Sequence, residues 1–200
     1  MSFFKERVPS FQNTGEMNDW LCLFYMQHYG VPTRLLDWTE NALIAIHFAL
    51  MDPCLFSEPI SEFDAVLWIL SPDLWNRNVL KNSGFSKGII RPGSDFLIPY
   101  QPNTNPPHYD LYPVAIFGYQ NSARIAAQQG VFTLFGSETD PMEKIITKVE
   151  FTSPALWKLI IPNKSINEFR EEILSIGITE TVAYPDISGL AAEIKRRFTC

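Results

Sequence analysis

Gln27-His28-Tyr29-Gly30-Val31-Pro32-Thr33-Arg34-Leu35-Leu36-Asp37-Trp38-Thr39 is the densest run of polar and aromatic side chains in the chain, and it sits at a junction. Before it, Trp20, Leu21, Leu23 and Phe24 fall close to helical spacing, which predicts a helix over 17–29. Asn18 or Asp19 is placed to cap its start, and Gly30 with Pro32 ends it. A loop is expected from Val31 to Trp38. A second helix is then expected from about Trp38 to Leu50, with Asp37 as N-cap and Glu40 close to a capping box. Ala42, Leu43, Ala45, Ile46, Phe48, Ala49 and Leu50 make that helix apolar nearly all round, so it belongs at the centre of a domain.

Beyond residue 51 the period shortens. Ala65–Leu70, Val114–Gly118, Val131–Phe135, Ile145–Phe151 and Trp157–Ile161 read as strands, with a short helix or turn over 74–80. Gly84 to Pro113 is rich in Pro, Gly and Asn and reads as a long irregular loop. Two helices close the chain. Ser165 and Glu168 form a capping box for the first, which ends at Gly177; Asp186 or Ser188 starts the second, which runs to Phe198. Helices, then strands, then helices point to a single α+β domain, with a mostly antiparallel or mixed sheet packed by N-terminal and C-terminal helices.

Composition narrows the function classes. The 200 residues are 46% hydrophobic and 19% charged, a balance that excludes intrinsic disorder. A net charge of −6 gives no general attraction to nucleic acid or to an anionic membrane, and neither is expected as a partner. No apolar run is long enough for a membrane span, and the N-terminus lacks the order of a signal peptide. Cys22, Cys54 and Cys200 form neither a disulfide framework nor a zinc pattern. A cytoplasmic location is expected, with Cys22 and Cys54 as small core residues. His28, His47 and His108 show no metal-ligand spacing, so no metal is expected. His47 reads as a buried structural residue and His108 as exposed.

The chemistry is expected in two segments. In the first, the start of the second helix offers unpaired N–H groups suited to an anion, Arg34 adds a cation, and Trp38 or Tyr29 adds a flat face. Those residues also have a purely structural reading, with Asp37 capping the helix, Arg34 paired to Asp37 and Trp38 in the core. The second segment runs from Asn121 to Thr133. There Gln128 and Gln129 precede Gly130 and could point amides into a cleft or satisfy the backbone. The Lys195-Arg196-Arg197 run reads as a solvated helix end, where cations favour the dipole.

The 27–39 segment, continuing through Ala42, Ala45, Phe48 and Ala49, resembles the central signature of the FRG domain family. Arg124-Ile125-Ala126-Ala127-Gln128-Gln129-Gly130-Val131-Phe132 is similar to that family's second motif. Gly177-Ile178 through Tyr184-Pro185-Asp186-Ile187-Ser188-Gly189-Leu190-Ala191 is similar to its C-terminal motif. The Phe/Tyr-Arg-Gly tripeptide that names the family has no counterpart; Phe4-Lys5-Glu6-Arg7 is not one. The chain therefore reads as an N-terminally shortened or a divergent member, with further chain or domains conceivable before residue 1.

The resemblance implies little mechanism. By a fold-level analogy, the order of the motifs is like that of ADP-ribosyltransferases, which makes NAD the one cofactor suggested. In that arrangement Gln128 or Gln129 would stand where those enzymes carry glutamate, with Glu138 and Glu150 as substitute carboxylates. The expected function is binding of a small anionic or nucleotide-like ligand in a cleft between the 27–39 and 124–130 motifs. Arg34, Asp37, Trp38, Thr39, Tyr29, Arg124 and Gln128 would hold it, and Gln129 and His28 would act if there is turnover. The competing expectation is a non-catalytic protein-interaction module that binds through the aromatic-rich stretch from Phe96 to Tyr112.

Overall fold

The computed structural model describes residues 1–11, 17–51, 63–86, 88–102, 111–119 and 122–198. The readings of Cys54, His108 and Cys200 lie outside them. In chain order the elements are α1 (Ser2–Arg7), α2 (Asp19–His28), β1 (Leu35–Thr39), α3 (Ala42–Leu50), β2 (Ala65–Leu70), α4 (Pro72–Val79), β3 (Val114–Phe117), α5 (Ala123–Gln128), β4 (Gly130–Leu134), α6 (Met142–Val149), β5 (Leu156–Ile161), α7 (Ile166–Ser175), α8 (Glu180–Ala183) and α9 (Ile187–Phe198). The fold is α+β, with one sheet ordered β1-β4-β3 and a separate antiparallel pair, β2-β5. Phe135 N–H donates to Arg34 O at one end of β1 and Glu40 N–H to Gln129 O at the other, so β1 and β4 run antiparallel.

The chain divides into two compact units, and the division cuts through β1 and β4. The first comprises residues 1–37, 72–119 and 132–155. Its core gathers Leu23 and Phe24 of α2, Leu35 of β1, Val114 and Ile116 of β3, and Phe132 of β4. Phe24 meets the Phe132 ring edge-on at 5.1 Å. α4 is fastened by its polar groups. The buried Trp75 indole donates to Pro113 O at 2.7 Å, and buried Asn76 makes three bonds, to Gly88 O, Ala115 O and Ala115 N–H. The second unit comprises residues 38–71, 120–131 and 156–200. There Leu50 of α3, Ala65 of β2, Ile161 of β5 and Ile166 and Ile173 of α7 form the core.

Several local readings change. Leu35–Thr39 is a strand, not loop, because its pairing partner lies about ninety residues on and leaves no local signal. α3 consequently begins at Ala42. Its cap is Asn41, whose side chain accepts from Leu43 N–H at 3.0 Å and Ile44 N–H at 3.4 Å, so Asp37 is not the cap. Nor is α3 buried all round, since Leu43 and Phe48 are exposed. The stretch read as a strand over 145–151 is mostly helix α6, whose buried Met142, Ile145 and Val149 follow the helical period. Ser165 makes no side-chain cap bond, because a 3-10 turn, Asn163–Ser165, leads into α7. Within 84–113, Asp95–Tyr100 forms a 3-10 helix that buries Leu97 and Tyr100. Cys22 is fully buried, as expected of a small core residue.

Candidate functional site

In the first unit the 27–37 segment is held by its own side chains. α2 ends at His28, and the chain reverses at Gly30, whose φ of 72° suits glycine. The Gln27 amide then bridges the turn. Its Nε2 donates to the Asp37 carboxylate, and its Oε1 accepts from the Thr33 hydroxyl. The Thr33 oxygen in turn accepts from Leu35 N–H at 3.0 Å. Asp37 is thus committed to Gln27 rather than to a helix start. His28 and Tyr29 meet edge to face at 4.9 Å, with Tyr29 exposed.

Arg34 stands apart from Asp37. Its guanidinium donates to two main-chain oxygens, Tyr100 O and, at 3.4 Å, Phe135 O. Among the described residues no carboxylate forms an ion pair with it. Burial pulls its pKa below the ordinary arginine value, offset in part by Tyr100. A cation whose partners among the described residues are carbonyl dipoles retains donor capacity.

In the second unit the two motifs meet through the main chain. The Thr39 hydroxyl donates to Gln128 O at 2.6 Å and accepts from Asn41 N–H at 2.9 Å, and Glu40 N–H donates to Gln129 O at 3.1 Å. Ser122 caps α5, the Gln128 amide donates to Ala183 O at 2.9 Å, and Gln129 closes the helix in the left-handed region at φ 47° with its side chain exposed. Arg124 lies over the Tyr184 ring at 4.5 Å, and Tyr184 meets Phe48 edge-on at 5.6 Å. Trp38 is half-buried.

Thus Thr39, Gln128 and Gln129 come together in the second unit. Gln27, Thr33 and Asp37 come together in the first, where Arg34, His28 and Tyr29 also lie. The acidic residue whose main chain bonds Gln129 is Glu40, read from the sequence only as part of a helix start. Glu138 instead bonds Lys148 at 2.6 Å and Asp140 N–H at 2.9 Å, and both contacts hold its pKa below the usual carboxylate range. The useful signal for Glu40 was Asn41. An Asn directly before an apolar run marks the cap, which moves Glu40 out of the helix and onto the turn.

Two further polar features belong to the second unit. Fully buried His47 places Nδ1 3.2 Å from Ile178 O, and burial lowers its pKa. Glu180 accepts from Arg196 Nε at 2.7 Å through Oε1, while its Oε2 is buried without a hydrogen-bond partner among the described residues. Among the described residues no three His, Cys, Asp or Glu side chains gather as a metal site requires, and no helix is long and apolar enough to cross a membrane.

No curated protein and no solved structure matches the chain. The family model of the FRG domain matches residues 1–57, and the 124–132 and 177–191 motifs lie beyond that match. Over residues 1–57, which contain the whole 27–39 motif, the chain matches the FRG domain family, the family that motif resembles.

Proposed function

We propose that the chain binds a small anionic, nucleotide-like ligand and that Arg34 carries the contact. The observation behind this reading is the half-buried guanidinium with carbonyl partners and no carboxylate among the described residues. A desolvated cation is costly, and a phosphate or carboxylate beside it offsets that cost through charge-assisted bonds. Tyr29, exposed beside His28, offers a face for a ring. Thermal unfolding with NAD, ADP-ribose and inorganic phosphate tests the reading. A ligand at about a hundred times its Kd adds roughly 2.7 kcal/mol to the stability of the form that binds it. Arg34→Glu and Arg34→Lys variants that fold like the parent should lose that gain wholly and partly. A folded Arg34→Glu chain stabilised like the parent sinks the proposal.

ADP-ribosyltransferase-like turnover with NAD as cofactor is the catalytic reading, and in the second unit Gln129 would be its acting residue. Gln129 supplies no negative charge, and Glu40, tied to it through the main chain, would supply one. Release of nicotinamide from NAD, absent in Glu40→Gln, is the assay for it.

A second reading, a non-catalytic interaction module, is favoured by the outward apolar side chains of the second unit, among them Ile69, Trp157, Leu159, Ile187 and Phe198. The stretch first considered for it, Phe96–Tyr112, buries Leu97 and Tyr100, and residues 103–110 lie outside the described ones. Binding of the dye anilinonaphthalene sulfonate to the native chain, weakened by glutamate on those surfaces, supports this reading.

A further inference from the structure

α9 is amphipathic the wrong way round. It meets the rest of the second unit through Gly189, Glu193 and Arg196, residues on one face at spacings of four and three. Gly189 lies against the Tyr184 carbonyl, a Glu193 carboxylate oxygen accepts from Thr181 N–H at 3.4 Å, and Arg196 pairs with Glu180 at 2.7 Å. The opposite face carries Ile187, Leu190, Ile194 and Phe198, which are 85%, 49%, 48% and 80% exposed. A helix that folds back through its charged face and turns its apolar stripe to water lacks the partner that stripe was built for.

We propose that a second copy of this chain covers that stripe, α9 against α9, antiparallel about a two-fold axis. The order of residues supports this occupant. Ala191 adjoins the stripe near its midpoint, Leu190 and Ile194 are on either side of it, and Ile187 and Phe198 are at the ends. Reversing the helix therefore sets Leu190 against Ile194 and Ile187 against Phe198 of the second copy, while the small Ala191 lets the two backbones approach. The charges agree. Asp186, which caps α9 by accepting from Gly189 N–H at 3.0 Å, and Arg197, paired with Glu193 at 2.6 Å, are about three helical turns apart on one flank of the stripe, and in the antiparallel pair each faces its opposite on the other copy. A parallel pair would set the Lys195-Arg196-Arg197 ends against each other. A net charge of −6 disfavours an anionic membrane as the occupant.

The inference rests on the interaction reading above and is independent of Arg34. Sedimentation of the 200-residue chain over a concentration series should show a monomer–dimer equilibrium. Ile194→Glu, with parental circular dichroism and melting, should raise the dissociation constant at least about tenfold, a change of about 1.4 kcal/mol. Arg197→Glu, with α9 shown intact by circular dichroism, should weaken the dimer. A dimer indifferent to Ile194→Glu, or to Arg197→Glu, overturns the antiparallel pair. A monomer at every concentration whose dye binding is lost in Ile194→Glu overturns the second copy as occupant but leaves the interaction reading standing. A monomer with no dye binding ends both.

Discussion

Replacing Gly189 by alanine sets two effects of opposite sign against each other. In a helix, Gly→Ala ordinarily stabilises by about 1 kcal/mol. At Gly189 an added Cβ would fall well inside the contact radius of the Tyr184 carbonyl oxygen, 2.8 Å from Tyr184 Cβ and 2.9 Å from Glu180 O. Two of these atoms are main chain, so no rotamer change relieves the overlap, and α9 must move away from α8. Overpacking of this kind costs roughly 1–3 kcal/mol. The displacement also loosens the Arg196–Glu180 pair and the Glu193–Thr181 bond, which depend on the same approach. The clash outweighs the propensity gain, and we expect a net loss of about 2 kcal/mol, or roughly 4–8 °C in Tm for a chain of this size. Urea and thermal unfolding by circular dichroism measure it. Gly30→Ala is the comparison. That position has a φ of 72° and no neighbouring atom within 4 Å, so it carries only the backbone penalty of about 1–2 kcal/mol. A Gly189→Ala chain as stable as the parent, or more so, refutes the close packing of α8 on α9.

Lowering the pH should destabilise the second unit through His47. Its folded pKa is depressed by burial, so the folded chain prefers the neutral ring. Its contribution is therefore complete above the unfolded value of about 6.5 and is lost as pH falls through it, at up to about 1.4 kcal/mol per unit. Denaturation between pH 8 and 5 should show the slope, and His47→Gln should flatten it. Glu180 and Glu193 are held down instead, Glu193 to about 2 by hydrogen bonds from Thr181 and Thr179, and any contribution they make is lost only at more acid pH. Asn41→Ala should cost about 1 kcal/mol through the lost α3 cap, whereas Asp37→Ala should leave α3 unchanged and free the Gln27 amide, a contrast that helix content by circular dichroism can read. Asn76→Ala removes three buried bonds and should cost roughly 3 kcal/mol; a loss below about 1 kcal/mol would contradict the fastening of α4.

What could be read from the residues was whatever their near neighbours enforce. Asn18 caps α2, accepting from Leu21 N–H at 2.8 Å, and Gly30 ends that helix, because both are decided within a turn of chain. β2 and β5 lie close to where their apolar runs placed them, since such runs state their own need for burial. The 27–39 segment likewise declared itself as a junction and as FRG-like.

The roles inside that segment were another matter, because each depends on a group distant in the chain. Leu35–Thr39 becomes a strand through β4, about ninety residues later, and that pairing shifts the helix start to Asn41 and leaves Asp37 to Gln27. Arg34 finds Tyr100 and Phe135, not Asp37. α6 passed for a strand because Ile145, Ile146 and Val149 are β-branched, and only a surface on one side to pack against made the helical period decisive. The apolar residues of α9 recur at helical spacing, but that spacing does not give the direction in which they point. A period identifies which residues share a face, and the direction that face turns is settled by what the opposite face binds, here Glu180, Thr181 and the Tyr184 carbonyl.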